Sequence, residues 1–134
     1  MKKIVAILLL AVLMLSFTSC SETIDYDLSA MDKHEAIEFL NGVTGKTEEM
    51  EGKVIKIQGL FYEIKTVDRI YYSVMIVEEE HGHRNGIEFV LEEEPESYPE
   101  VGTEIIVVGE FSTYKEGINT FCQLSNATMT IVEK

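Results

Sequence analysis

Three carboxylates run into two histidines at Glu78-Glu79-Glu80-His81-Gly82-His83-Arg84-Asn85. In an extended chain, residues two apart project to the same side. His81 and His83 can therefore turn both imidazoles toward one ion. Imidazole is a common ligand of zinc and copper, and a carboxylate from Glu78 or Glu80 can complete such a set. The candidate cofactor is Zn or Cu, with His81, His83, Glu78 and Glu80 as ligands. A solvated hairpin loop without a cofactor is the preferred explanation, because a short His-x-His among acids has low specificity. Arg84 beside the imidazoles also repels a cation. The second acidic run, Glu92-Glu93-Glu94-Pro95-Glu96, lacks the alternating Asp/Asn and the glycine of a calcium loop, and reads as a solvated turn.

No catalytic constellation emerges. There is no Gly-x-Ser-x-Gly elbow and no glycine-rich phosphate loop. The Gly-Lys-Thr ending of Gly42-Val43-Thr44-Gly45-Lys46-Thr47 has Leu40 where a phosphate loop needs its first glycine. His34, the remaining histidine, falls on the polar side of an early helix, and the expectation is a non-enzymatic protein. Cys122, in the apolar pattern Phe121, Cys122, Leu124, reads as a small core residue.

These residues must be held by elements that the hydrophobic period reveals. Asp32 and Glu35 form a variant capping box before the apolar stripe Ala36, Ile37, Phe39, Leu40, Val43, which predicts a helix over 30–41 ending at Gly42. Its apolar face should cover one open end of a barrel. Beyond Gly45 the period becomes strand-like. Five strands are expected, at 53–62, 70–77, 86–91, 104–111 and 120–132, the last interrupted near Ser125-Asn126. Gly59 and Gly109 sit inside the first and fourth, where glycine marks a bulge or sharp bend. Closing the sheet removes most of its exposed edge, and interior glycines permit the curling that closure needs. A small barrel is favoured over a sandwich, which would show more strands.

Two segments carry a family resemblance. Gly52-Lys53-Val54-Ile55-Lys56-Ile57-Gln58-Gly59 and Pro99-Glu100-Val101-Gly102-Thr103-Glu104-Ile105-Ile106-Val107-Val108-Gly109-Glu110-Phe111 resemble the first and fourth strands of an OB-fold. About residues 50–133 are similar to small bacterial OB-fold lipoproteins. Members often carry a Cys-Cys pair ahead of a Gly-x-Glu-Phe motif. Here the motif is Gly86-Ile87-Glu88-Phe89, and Gly82 and His83 stand where the cysteines would be, so a thiol role does not carry over. The expected fold is mainly β: a five-stranded OB-type Greek-key barrel preceded by one short α-helix, plus an N-terminal signal peptide. In such a barrel the face of strands two and three, with the first and last hairpin loops, is the usual ligand site. That places Tyr71, Ser73 and Met75 on the outer face of strand two and Tyr114 and Lys115 at the last hairpin as candidate ligand-binding residues. An exposed aromatic platform there would suit a sugar, a peptide or a base. Aromatics at strand spacing are more often core.

The chain opens with Lys2-Lys3, an apolar run from Ile4 to Leu15, and the small-residue exit Ser16-Phe17-Thr18-Ser19-Cys20. This is the pattern of a secretory leader, and the run is short for a membrane span. Phe17-Thr18-Ser19-Cys20 resembles a lipobox, with Phe17 in place of the usual aliphatic residue. The resemblance implies cleavage before Cys20 and a diacylglycerol thioether on it. The expected organisation is leader 1–19, lipidated Cys20 and tether 20–29, and a domain over 30–134, lodged outside the cytoplasm in a bacterial cell envelope. The formal charge is −13 over 134 residues, and losing Lys2 and Lys3 makes it more acidic. Such acidity argues against nucleic acid, whose affinity rests on Lys and Arg. It favours cationic ligands, metals or basic peptides, with the membrane reached only through the Cys20 lipid. The expected partners are therefore the membrane through that lipid, and a protein, peptide, sugar or cationic ligand. The expected function is a lipid-anchored binding module, with a metal-handling envelope protein as the alternative.

Overall fold

The computed structural model describes residues 23–133. The expected leader and Cys20 lie outside the described residues. Among the described residues, no helix is long and apolar enough to cross a membrane.

Tyr26–Asp27 form a short strand, β1, followed by a 3-10 turn over Leu28–Ala30. Helix α1 spans Lys33–Val43 and α2 spans Thr47–Met50. Five long strands follow: β2 Val54–Lys65, β3 Ile70–Glu78, β4 His83–Leu91, β5 Glu104–Glu116 and β6 Asn119–Ile131. Strand β2 pairs antiparallel with both β3 and β5; β3 pairs with β4; β4 runs parallel to β6; and β6 returns antiparallel to β5. The circuit closes, giving the OB-type five-stranded barrel with a short helix ahead of it.

Closure depends on one bend. From Val54 to Leu60, β2 pairs with β5; from Leu60 to Lys65 it pairs with β3. Gly59 sits at the handover, where a Cβ would lie 2.5 Å from the Met75 carbonyl oxygen. Any larger residue would push the two strands apart. The expected break in the last strand is present as well. Val108 faces Thr128 but Glu110 faces Ser125, so Asn126 and Ala127 bulge opposite Gly109, with Asn126 at φ 48°.

The core is formed by inward residues of every barrel strand, led by Ile55, Ile57, Phe61, Val74, Ile105, Val107, Phe111 and Leu124, all fully buried. Helix α1 adds Ala36, Ile37, Leu40 and Val43 to the same core. It starts later than expected because Leu28–Ala30 form the separate turn, and the Asp32 carboxylate accepts the Glu35 N–H at 2.9 Å. It runs through Gly42 because Val43 is still buried. The segment expected as tether is partly packed. Asp25 N–H donates to the Val54 carbonyl at 2.9 Å, Tyr26 pairs with Ile55, and Leu28 is buried.

The hairpins are tighter than the sequence suggests. Strands β5 and β6 pair out to Glu116 and Asn119, leaving only Gly117-Ile118 as a turn. Gly117 at φ 62° supplies the left-handed first turn residue of a type II′ hairpin. Strands β3 and β4 pair out to Glu78 and His83, so the His-containing loop is shorter than the expected 78–85.

Candidate functional site

Strand β3 has a charged cluster at each end. At its C-terminal end all three histidines of the chain gather on one carboxylate. Glu78 is the last residue of β3, and its side chain is only 12% exposed. Its Oε1 accepts from His81 Nδ1 at 2.7 Å. Its Oε2 lies 3.7 Å from His83 Nδ1 and 3.7 Å from His34 Nδ1, and it is buried without a hydrogen-bond partner. The hydrogen bond from His81, aided by the positive potential of the three imidazoles and opposed by burial, holds the Glu78 carboxyl below the usual range. Glu80 joins Glu78 and His81 in a second arrangement whose ligand atoms lie within 4.8 Å of one another.

The four expected ligands do not form one set: Glu78 is shared, His83 groups with it and His34, and His81 and Glu80 group with it separately. His34 is the residue that sequence reasoning missed. It comes from the first turn of α1, and its Nε2 reaches Glu38 Oε1 at 3.3 Å. An Asn85-to-Asn41 side-chain hydrogen bond of 2.6 Å holds α1 along the same hairpin. Side-chain alternation directs Arg84 to the face of β4 opposite His83, which removes the objection that it repels an ion at the histidines.

At the other end, pairing between β3 and β4 stops at Ser73–Glu88, yet both strands continue. Residues 70–72 stay with β2, while 88–91 cross to β6. The parting strands open a cleft of about 320 Å³, with Arg69, Tyr71, Glu88, Val90 and Gln123 among its lining. The loop after β4 adds Glu94 and Tyr98.

Beside this cleft, Arg69 is the centre of a hydrogen-bond and ion-pair network. The Arg69 guanidinium lies 4.0 Å over the Tyr71 ring and 5.2 Å from that of Tyr114. It also reaches Glu116 at 3.6 Å and Glu88 at 4.0 Å. The Tyr71 hydroxyl donates to Glu116 at 2.7 Å, and the Tyr114 hydroxyl to Glu88 at 2.6 Å. Burial, reinforced by that bond to Glu88, pushes the Tyr114 phenol well above its ordinary value.

Of the expected ligand-binding residues, only Tyr71 and Tyr114 meet here. Ser73 is 5% exposed with an unpartnered hydroxyl, because its short side chain sits between Tyr62 and Glu88 in the register. Met75 lines a separate groove with Leu28, Met31 and Gln58. Lys115 is exposed opposite Thr120. The aromatic platform is also not open. Tyr72 and Tyr98 stack on each other at 3.8 Å, Tyr114 stacks on Phe121, and Arg69 covers Tyr71. Cys122 is half-buried against the core, and burial pushes its thiol up.

The chain matches no protein-family model, no curated protein and no solved structure. The site must therefore be read from its own geometry.

Proposed function

We propose that this chain is a non-enzymatic, lipid-anchored binding module of the bacterial cell envelope, and that its cleft receives an extended basic segment of a partner protein. The observation that carries this reading is the parting of β3 and β4. Residues 70–72 and 89–91 each pair on one side only and line the cleft together. Such strand edges offer backbone donors and acceptors to an added strand. The rim supplies apolar contacts: Ile70 and Val90 are 45% and 54% exposed. Val67 and Ile118, at the neighbouring hairpin tips, are fully exposed. Exposed apolar side chains beside an open strand edge suit the side chains of an added strand. Glu88, Glu94 and Glu116 outnumber Arg69 around the cleft, in a chain of formal charge −13, which favours a basic partner. Stacking on a sugar or base is disfavoured because the ring faces already have partners within the chain.

The test is selection of a random peptide library on the purified chain. Extended, Lys- or Arg-containing peptides should be enriched, and their affinity should fall at least about tenfold in the Ile70→Lys/Val90→Lys variant. Failure to enrich, or peptides that bind this variant equally well, removes the cleft from the reading. In bacterial cells that produce the chain, Cys20→Ala should move the protein out of the membrane fraction; retention there would remove the lipid anchor.

A further inference from the structure

We propose that His34, Glu78 and His83 form a binding site for a divalent cation of the zinc or copper class, with His81 and Glu38 holding two of those ligands in position. Three separate elements supply the set: the first turn of α1, the last residue of β3 and the first residue of β4.

Three observations point to an ion. The first is the Glu78 Oε2 atom, buried and without a hydrogen bond. A purely structural carboxylate would be paired at both oxygens, since an unsatisfied buried acceptor costs free energy. The second is distance. His34 Nδ1 and His83 Nδ1 each stand 3.7 Å from that oxygen, too far for a hydrogen bond. A tetrahedral ion with ligands at about 2.0–2.2 Å separates its donors by about 3.3–3.6 Å, close to the spacing seen. All three ligand atoms lie within 4.8 Å of one another.

The third observation is support behind the ligands. His34 directs Nε2 to Glu38 at 3.3 Å, which leaves Nδ1 for the ion; this is the carboxylate–imidazole pairing that fixes tautomer and ring orientation in metal sites. His81 donates to Glu78 Oε1 at 2.7 Å, which leaves Oε2 for the ion. Two imidazoles and one carboxylate suit zinc or copper better than calcium or magnesium, which prefer all-oxygen shells. Because the set spans α1 and the β3–β4 hairpin, an ion would tie the helix to the barrel. This site is independent of the cleft at the other end of β3.

The test is calorimetric titration of Zn(II) alone into the full chain, purified in detergent without a polyhistidine tag, with Co(II) absorption as a second probe. One ion per chain should bind, with a dissociation constant tighter than about 10 µM. His34→Ala and His83→Ala should each weaken binding at least about tenfold, and Glu38→Gln about tenfold. Glu80→Gln should leave it unchanged. His34 is half-exposed, so His34→Ala should keep the metal-free melting curve. Zinc should raise the melting midpoint of the parent chain and not that of His34→Ala. Absence of binding overturns the proposal. So does binding that survives His34→Ala, or that is lost in Glu80→Gln, since either assigns the ion to the hairpin loop alone. None of these variants touches Ile70 or Val90, so failure here leaves the cleft reading standing.

Discussion

The two ends of β3 handle charge in opposite ways. Ile70 and Glu78 bound this strand, and its eight steps of about 3.3 Å separate the ends by roughly 26 Å. At the Arg69 end the guanidinium meets two carboxylates, and each of those carboxylates accepts from a phenol. At the Glu78 end one buried carboxylate oxygen accepts no hydrogen bond, and two imidazole nitrogens stand 3.7 Å from it. A matched network gives a cleft a firm wall and leaves recognition to backbone edges and apolar rim. An unmatched one is a set of ligand atoms that something else must satisfy. On the two proposals the same strand serves two kinds of recognition, and the barrel between them should keep them independent.

The largest expected effect tests that independence. Phe61 is fully buried and packs against Tyr72, Tyr98 and Phe89, at ring distances of 5.8, 5.9 and 6.3 Å. It is the floor on which the cleft rings rest. Phe61→Ala should cost about 3–5 kcal/mol of stability in urea unfolding, a large share of the roughly 5–15 kcal/mol of an ordinary domain. In the folded fraction, peptide binding at the cleft should fall while zinc affinity at Glu78 holds. If both fall together, the two ends are one coupled unit and the comparison fails.

The sequence carried much of this arrangement and missed particular parts. The five strands, the bend at Gly59 and the break near Asn126 were legible because alternation and interior glycine report directly on a curled sheet. The tail of β2 was not, because Glu63-Ile64-Lys65 looks like loop and is held only by its ladder to Ile70–Tyr72. Histidine spacing drew attention to residues 78–83. His34 could not be joined to them, since only the docking of α1 on the hairpin brings it there. At the cleft, Arg69 falls in the gap between the expected strands 53–62 and 70–77, and Glu94 reads as a solvated acid. Local pattern does not show that the loop after β4 folds back to set Tyr98 on Tyr72.

A smaller effect comes from removing one charge at each end. Arg69→Ala unpairs Glu88 and Glu116 and uncovers the Tyr71 ring. Thermal melts in a chelator should show the midpoint lowered by a few degrees, since the network is partly exposed. Glu78→Gln should change the midpoint less in the same buffer, because Oε2 accepts no hydrogen bond and a glutamine oxygen can still accept from His81. With zinc present the order should reverse: Glu78→Gln forfeits the ion's stabilisation, and Arg69→Ala does not. An unchanged order in zinc would mean that Glu78 is not a ligand.

The smallest effect is confined to the cleft end and appears only in alkali. The Tyr114 phenol is raised chiefly by burial and then by its bond to Glu88; Tyr71 is raised chiefly by its bond to Glu116. A phenol whose folded value exceeds its unfolded value near 10 binds its proton more tightly in the folded state. Its contribution to stability is complete below about pH 10 and declines as the pH rises through the folded value. The melting midpoint should therefore fall between about pH 10 and 12, and Tyr114→Phe should flatten that decline. Absorption near 295 nm should show the Tyr114 phenolate forming late in the parent chain, together with loss of peptide binding. Zinc affinity at Glu78, whose charged neighbours are histidines, should not follow the Tyr114 titration. If zinc affinity tracks phenolate formation, the matched and unmatched ends communicate through β3.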